Sequence, residues 1–428
     1  SQDVQAEAYD YPEIFFEERI HEIRRPHPDT NQIQAAAEKI KSSKQPIIIS
    51  GGGVLYSEAE KELSDFAKKH NIPVTSTVMG LGCMDNDDPY YIGNIGGLGD
   101  RSCNNLSKDT DLALAVGTKL ADFTTGSWSN FENEDFKLVS INTARYDVTK
   151  HRSTPVVSDA KIGFQELSKA LGDWKAPDIW FERAIKERTD WKNYVQKQSG
   201  PTNQELPSYA HAVGAVYRNA DPSDIVVTAA GGLVGEVVQI WRPKQKNTFE
   251  TEWGFSCMGY EISGALGIKM AKPDQDVVVF VGDGSYLLAN SDIYSSVIYD
   301  KKLIIIVCDN GGHMVINRLQ IAKGGKEYIC NLRAARATNL QFVDFEAHAK
   351  SMGANGETVT STSELEAAYL RAKKSDKTYV ISIKTHGYEW LEGSAFWESP
   401  TSEIHTSEAN KVAYKDFTEG KKKQRKGV

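Results

Sequence analysis

Two stretches decide the fold of this chain: Val277-Val-Val-Phe-Val-Gly282-Asp283-Gly284-Ser285 and Leu303-Ile-Ile-Ile-Val-Cys308-Asp309-Asn310-Gly311-Gly312. Each is an unbroken apolar run that ends in a polar, glycine-containing turn, which is typical of a buried strand in a parallel sheet. The residues between the two runs have a helical pattern, so the pair predicts a strand–helix–strand unit. Ligands of open parallel sheets bind at the carboxyl ends of the strands. The two turns are therefore the predicted binding site.

The turns also carry the chemistry of a magnesium site. Asp283 and Asn310 follow the two strands and are separated by 27 positions. A carboxylate and an amide oxygen from adjacent strand ends can hold one Mg²⁺, with the main-chain carbonyl of Gly312 as a third protein ligand. The glycines allow the backbone to approach a diphosphate closely, and Gly282, Gly284 and Ser285 are the predicted contacts there. Either turn alone would be a common loop, but the combination is specific.

This arrangement, GDG followed by a spacer and an asparagine, resembles the motif of the thiamine-diphosphate enzymes. Asp309-Asn310 stands where that family usually has two asparagines. The resemblance implies an α/β protein with two Rossmann-like, doubly wound parallel-sheet domains. It also implies thiamine diphosphate and Mg²⁺ as cofactors, and a homo-oligomer, a dimer or tetramer, with the cofactor at a subunit interface.

Two further segments resemble cofactor contacts of that family. Gly231 and Gly232 stand where the family places more diphosphate contacts, although a plain turn explains them too. In the stretch Phe255 to Gly259, the resemblance assigns the backbone of Ser256 and Met258 to the aminopyrimidine ring. It also makes Met258 the apolar wedge that bends the cofactor. The alternative is a core methionine at the start of a helix.

The family activates its cofactor with a glutamate on an Ala- and Gly-rich helix of the first domain of a neighbouring subunit. No such segment is identified in this sequence, and Glu261 lies in a helix of the wrong domain. The opening Asp3-Val-Gln5 resembles the segment that ends that first domain. We therefore expect that a front domain is missing and that the chain alone is inactive.

The run Ile316-Asn-Arg-Leu-Gln320, the opening residues and the tail with Trp397 resemble the trihydroxycyclohexane-1,2-dione hydrolases of myo-inositol catabolism. This resemblance implies hydrolysis of a C–C bond in a small polyhydroxylated cyclic dione, giving 5-deoxyglucuronate. His313 is a candidate general base, and Asn317 and Gln320 are candidates for binding substrate hydroxyls. The alternatives are an acetolactate synthase-like decarboxylase or carboligase, and a non-catalytic cofactor-binding fragment.

Length and composition set the remaining expectations. A chain of 428 residues predicts two or three domains. A net charge of −8 argues against nucleic acid as a partner, and the apolar runs are too short to cross a membrane. Five scattered cysteines without paired spacing indicate reduced thiols in a cytoplasmic protein. Cys308 is expected in a strand core. The nine histidines show no spacing typical of zinc ligands.

The predicted division has five parts: a linker (1–29), a middle domain (30–172), a connector (173–205), the thiamine-diphosphate and magnesium domain (206–386) and a tail (387–428). In the middle domain, Gly51 to Gly53 lack the full dinucleotide fingerprint, so a tight turn without a nucleotide is expected. Ser57 and Ser363 are the expected caps of two helices. The basic run Lys421 to Lys426 is expected to be a solvated, frayed end.

Overall fold

The computed structural model describes residues 1–425 and contains two six-stranded parallel sheets covered by helices. The strands are β1 (Pro46–Ser50), β2 (Val74–Ser76), β3 (Tyr91–Asn94), β4 (Leu112–Val116), β5 (Lys137–Asn142), β6 (Thr154–Val157), β7 (Ile225–Thr228), β8 (Phe249–Thr251), β9 (Val277–Gly282), β10 (Ile304–Asp309), β11 (Asn355–Val359) and β12 (Tyr379–Lys384). The α-helices are α1 (Gln2–Ala6), α2 (Thr30–Lys41), α3 (Gly52–Tyr56), α4 (Glu60–His70), α5 (Arg101–Asp109), α6 (Asp122–Thr125), α7 (Arg145–Thr149), α8 (Ala160–Leu171), α9 (Asp178–Gln198), α10 (Tyr209–Tyr217), α11 (Leu233–Ile240), α12 (Tyr260–Ala271), α13 (Asp283–Leu288), α14 (Ser291–Ile298), α15 (Met314–Ala322), α16 (Phe345–Ser351), α17 (Thr362–Lys374) and α18 (Glu408–Lys422). Short 3₁₀ turns lie at Glu13–Phe15, Val78–Gly80, Lys150–Arg152 and Leu332–Ala334.

The first sheet has the strand order β3-β2-β1-β4-β5-β6. Its central strands β1 and β4 are buried on both faces, as their apolar sequences predict. The turn after β1 must be tight, because a Cβ at Gly51 would contact the carbonyl oxygen of Gly117. Helix α2 buries Ile33, Ala36, Ala37 and Ile40, the four residues whose spacing predicts it.

The second sheet has the order β11-β12-β10-β9-β7-β8. Strands β9 and β10 are adjacent and parallel, with Val278 paired to Ile304. Their apolar side chains are buried, and Cys308 is one of the core residues, as expected. From β7 the chain continues to β8 on one side of the sheet, and from β9 it continues to β10 on the other side. The carboxyl ends of the adjacent strands β7 and β9 therefore border the crevice in which such sheets bind ligands. The predicted fold class, two doubly wound α/β units, is confirmed.

Helix α9 connects the two units and packs against both. Trp180, near its start, lies in a core cluster of the first unit, and Trp191, about three turns further on, lies in the main cluster of the second. A second link joins the buried carboxylate of Asp100 to Arg242 Nη2 at 3.2 Å. The two sheets are therefore held together by apolar packing and by a buried ion pair.

Some local expectations were wrong. Helix α4 begins at Glu60 without a side-chain cap, so Ser57 does not cap it. Helix α17 is capped by Ser361, whose hydroxyl accepts from the backbone of Glu364, and not by Ser363. Both errors placed the cap two residues from the true N-cap position, Ala59 or Ser361, and helix boundaries are where sequence alone is least informative.

The basic tail is packed against the first unit and not frayed. Lys421 Nζ lies 2.8 Å from Glu398 Oε1, Gln424 Nε2 donates to the Ser127 carbonyl at 2.9 Å, and Arg425 Nη1 donates to the Asn133 carbonyl at 2.8 Å. Lys426 lies outside the described residues. The fraying was mispredicted because the partners of the run, the Glu398 carboxylate and two backbone carbonyls, are remote in sequence and give no local signal.

At the other end of the chain, residues 1–24 are exposed, and Arg25 contacts Asp159 at 3.1 Å. The five-part division of the chain stays a prediction. No helix within residues 1–425 is long and apolar enough to span a bilayer.

Candidate functional site

The two predicted turns meet at the carboxyl ends of β9 and β10. The backbone N–H of Gly312 donates a 2.7 Å hydrogen bond to Asp283 Oδ2. Gly312 has φ 138°, and a Cβ there would contact the carbonyl oxygen of Cys330, so this position requires glycine. The structure therefore brings together the three residues predicted to bind the metal, Asp283, Asn310 and Gly312.

Asn310 has an unusual environment within this pair of turns. Its side chain is 5% exposed, and its Nδ2 donates to the Tyr209 hydroxyl at 2.6 Å. Its Oδ1 is buried and has no hydrogen-bond partner among residues 1–425. A buried amide oxygen without a partner is costly, and a bound cation would satisfy it.

The available ligands are oxygen atoms. Within residues 1–425, no three His, Cys, Asp or Glu side chains gather as a metal site. A single carboxylate with an amide and a main-chain oxygen suits a hard cation that also takes phosphate and water ligands, such as Mg²⁺. The residues present therefore fit the metal that the motif implies.

Burial and charge both act on Asp283. Desolvation and, second to it, the charge of the nearby Asp309 raise the pKa of its carboxyl to about 7, against the opposing hydrogen bonds from the N–H groups of Gly312 and Asn310. Among residues 1–425, no positively charged group acts to lower the pKa of Asp283. A divalent cation would provide that charge and stabilise the ionised form.

The turn after β7 forms the opposite wall of the crevice. Gly231 has φ 89° and open space around it. Gly232, in contrast, lies under the indole of Trp390, which a Cβ at this position would contact. The two glycines predicted to contact diphosphate thus differ in their surroundings: Gly231 faces open space, and Gly232 faces Trp390 of the tail.

The turn that precedes α12 is exposed and ordered by one carboxylate. Glu252 accepts hydrogen bonds from the N–H groups of Phe255 at 3.1 Å and Cys257 at 2.7 Å. Ser256 has φ 55°, and the Met258 side chain is 38% exposed. Met258 is therefore not a core residue, and its apolar side chain is available to a ligand.

Glu261 joins three turns of the site. Its carboxylate accepts from the Ser285 hydroxyl at 2.8 Å and from the Gly259 N–H at 2.9 Å. The Ala230 N–H also points to it at 3.4 Å. The Ser285 hydroxyl proton is used in this network, so a ligand would meet the backbone N–H of Ser285 and not its hydroxyl.

His313 lies at the start of α15 and is exposed. Its ring packs over Gly284, where a Cβ would lie 2.6 Å from the imidazole Cε1. Gly284 therefore makes room for this ring next to Asp283. His313 stays a candidate for proton transfer because of this position.

The two candidates for substrate hydroxyls are engaged within the protein. Asn317 is fully buried and donates to Glu327 at 3.2 Å, and Gln320 donates to the Lys326 carbonyl. Helical periodicity did not reveal that the loop 323–331 folds back over this face. Among residues 1–425, Asn317 Oδ1 has no hydrogen-bond partner. The binding of substrate hydroxyls by these two amides therefore stays a prediction.

A cavity of about 350 Å³ opens next to the turn after β10, residues 310–312, which contains two of the three predicted metal ligands and which we call the metal loop. Its lining combines polar side chains with apolar ones, among them Asn310, Asn331, Arg333, Met314 and Phe342. Its volume is within the range of small-molecule sites.

Three residues of the site were missed by sequence reasoning: Tyr209, Glu261 as a link between turns, and Trp390. Tyr209 was missed because its helical spacing is that of an ordinary core residue. Trp390 was missed because it lies in the tail, outside any helix or strand. Only Glu261 carried a signal, since an acidic residue within the apolar start of α12 is unexpected unless it is hydrogen-bonded.

The fold and the paired turns define a thiamine-diphosphate type of site, and sequence comparison agrees. Residues 33–167 match the central domain of thiamine pyrophosphate enzymes, and residues 229–383 match their C-terminal TPP-binding domain. The chain is 34% identical to a 3D-(3,5/4)-trihydroxycyclohexane-1,2-dione hydrolase of Geobacillus thermodenitrificans, over 99% of this chain and 71% of that protein. Proteins of the same name from Halalkalibacterium halodurans and Bacillus licheniformis are 35% and 34% identical, each over 97% of this chain and 69% of theirs. The chain belongs to this family of thiamine pyrophosphate enzymes.

Proposed function

We propose that this chain carries the cofactor and metal site of a hydrolase that opens trihydroxycyclohexane-1,2-dione at the C–C bond between its carbonyl groups. The observation that carries this proposal is the buried, unpartnered Oδ1 of Asn310 beside Asp283. It supports a metal–diphosphate site, and the relatives' names supply the substrate.

In this proposal Asp283, Asn310 and Gly312 hold Mg²⁺, and Gly231, Gly232, Gly282, Gly284 and Ser285 line the diphosphate. The bound cofactor would supply an electron sink for cleavage between two carbonyl carbons. The backbone of Ser256 and the exposed side chain of Met258 orient its rings. His313 takes a proton from the attacking water, and the product, 5-deoxyglucuronate, equals the substrate plus one water.

We further propose a cytoplasmic homo-oligomer with the cofactor between subunits. The site is bordered by apolar side chains that this chain leaves exposed, namely Phe255 at 92%, Leu287 at 49% and Leu288 at 61%. Apolar patches of this kind next to a site are typical of interaction surfaces. Light scattering coupled to gel filtration tests the oligomer, and a monomer with bound cofactor would contradict it.

The function is tested by incubating the chain with trihydroxycyclohexane-1,2-dione, thiamine diphosphate and Mg²⁺ and following the products by mass spectrometry. The activating glutamate of the family has no identified counterpart here. The chain is therefore assayed alone and with the amino-terminal part of a relative added as a separate polypeptide. A product with one added water supports the proposal. Carbon dioxide release from pyruvate would instead indicate the decarboxylase or carboligase, and cofactor binding without turnover in either assay would indicate a non-catalytic role.

A further inference from the structure

The hydroxyl of Tyr209 lies between the ends of the two strands that carry the metal site. Tyr209 is the first residue of α10, and its side chain is 4% exposed. A Cβ at Gly282 would lie 3.9 Å from the phenol oxygen, so the hydroxyl reaches the end of β9. From the end of β10, Asn310 Nδ2 donates to the same oxygen at 2.6 Å. One buried hydroxyl thus lies near the end of β9 and is hydrogen-bonded to the residue that follows β10.

This contact determines which end of the Asn310 amide faces the site. A carboxamide has a donor end and an acceptor end of nearly the same shape, and only the acceptor end can bind a cation. The Tyr209 oxygen accepts from the donor end, and the acceptor end, Oδ1, is left without a partner. Rotation of the amide by half a turn would direct its NH₂ group to the position of the ion.

The geometry points to Tyr209 as a positioning residue that selects the metal-binding orientation of Asn310. This inference rests on the proposed function, because it assumes a cation at Asp283 and Asn310. In this inference Tyr209 binds neither the ion nor the cofactor directly. It acts through the amide, as outer hydrogen bonds commonly fix the ligands of metal sites.

Replacement of Tyr209 by Phe separates this role from packing. The Tyr209 ring makes an edge contact with Trp390 at a centroid distance of 5.5 Å, and Phe preserves the ring. Tyr369 provides a matched control, since it is fully buried and donates to Asp224 at 2.8 Å at the opposite end of the sheet. Tyr369→Phe therefore removes a comparable buried hydrogen bond far from the metal loop.

The experiment measures Mn²⁺ binding by electron paramagnetic resonance in the presence of thiamine diphosphate. We expect Tyr209→Phe to weaken Mn²⁺ binding by about 10-fold or more, and Tyr369→Phe to bind like the wild-type chain. If the wild-type chain binds Mn²⁺ and Tyr209→Phe binds it equally well, the orienting role is overturned while the metal site stands. A wild-type chain that binds no Mn²⁺ with the cofactor overturns the metal site and this inference together.

A double-mutant cycle with Asn310→Asp gives a result that a merely structural role would not. An ionised carboxylate has two acceptor oxygens and no donor, so either of its ends can bind the ion and no residue is needed to orient it. In the Asn310→Asp background, Tyr209→Phe should therefore change Mn²⁺ affinity by less than about twofold. An equal loss in both backgrounds would show that Tyr209 acts through stability alone, contrary to the inference.

Discussion

The carboxylate of Glu261 accepts a hydrogen bond of 2.8 Å from the hydroxyl of Ser285, across 24 positions of sequence. The same carboxylate receives the N–H of Gly259 at 2.9 Å. The turn before α12 and the turn after β9 are thus fixed to each other by one buried acid. In the proposed function these turns hold opposite ends of the cofactor, so Glu261 sets the distance between its two halves.

Glu261→Gln is expected to weaken thiamine diphosphate binding. A glutamine would direct NH₂ hydrogens at a position that now accepts hydrogen bonds, leaving buried donors without partners. We expect the free energy of unfolding to fall by about 1–3 kcal/mol and the cofactor affinity to fall by about tenfold. Calorimetric titration with the cofactor and urea unfolding measure the two effects.

Glu364→Gln is the control for this substitution. Glu364 accepts hydrogen bonds from the N–H of Thr360 at 2.8 Å and from its hydroxyl at 2.9 Å, on an exposed helix start outside the site. It should leave cofactor affinity unchanged. Equal affinities for Glu261→Gln and the wild-type chain would contradict the linking role of Glu261.

Asp283→Asn should affect the stability of the ligand-free chain and that of the ligand-bound chain differently. Burial and Asp309 disfavour the ionised Asp283 carboxylate, so the neutral isostere should leave the apo chain as stable or more stable. It should also remove the stabilisation by Mg²⁺ and thiamine diphosphate, which for the wild-type chain amounts to about 2.7 kcal/mol at 100 times the dissociation constant. Thermal unfolding with and without ligands measures this. A variant that the ligands stabilise as well as they do the wild-type chain would rule out Asp283 as a metal ligand.

Glu236 should make the stability of the chain depend on pH. It is buried, its Oε1 accepts from the Leu391 N–H at 2.9 Å, and its Oε2 has no partner. Desolvation raises its pKa from 4.5 to about 7, against the opposing effects of the Leu391 N–H and Arg318. A raised pKa in the folded chain means that the stabilising contribution is present below pH 4.5 and is lost as the pH rises through 7.

Glu236→Gln tests this dependence, since glutamine keeps the shape and does not ionise. The stability of the wild-type chain relative to the variant should fall by up to about 3 kcal/mol between pH 4.5 and 8. Urea unfolding at several pH values gives the comparison. Parallel pH profiles for the two chains would show that Glu236 titrates normally.

Gly312→Ala should destabilise the chain by more than the backbone strain of a positive φ alone, because the new Cβ would also collide with its surroundings. Gly312 has φ 138°, and Gly172, the control, has φ 63°. Both conformations favour glycine. Only at Gly312 would a Cβ contact backbone, the carbonyl of Cys330, whereas Gly172 has nothing within 4 Å. Gly172→Ala should therefore lower the free energy of unfolding by about 1–2 kcal/mol and keep ligand-induced stabilisation. Gly312→Ala should lower it further and lose that stabilisation, as thermal unfolding with ligands will show.

Met258→Ala should reduce turnover while leaving the apo chain folded as before. Met258 is 38% exposed, and Met270, at the far end of α12, is 46% exposed, so either truncation has a small effect on stability. If Met258 supports the bent cofactor, its truncation should lower kcat about tenfold, the equivalent of about 1.4 kcal/mol, in the assay with the amino-terminal part of a relative added. Met270→Ala should not. Equal kcat values for the two variants would contradict the wedge.

The sequence alone determined the two sheets and the end of the second sheet at which the site lies. Strands β1, β4, β9 and β10 are continuous apolar runs, and a run buried on both faces has few alternatives to a central parallel strand. The turns that follow them carry Asp283 and Asn310, so the position of the site follows from the strands. Edge strands were missed because they are short and partly polar: β3, β6, β8 and β11.

Tertiary structure decided what orients those residues. Tyr209 meets Asn310 across 101 positions, and Trp390 covers Gly232 from the tail. Such contacts have no period or spacing in the sequence, because each depends on how separate helices and loops pack around the sheet. The sequence therefore indicates which side chains are candidate metal ligands, and packing determines which of their atoms face the proposed site.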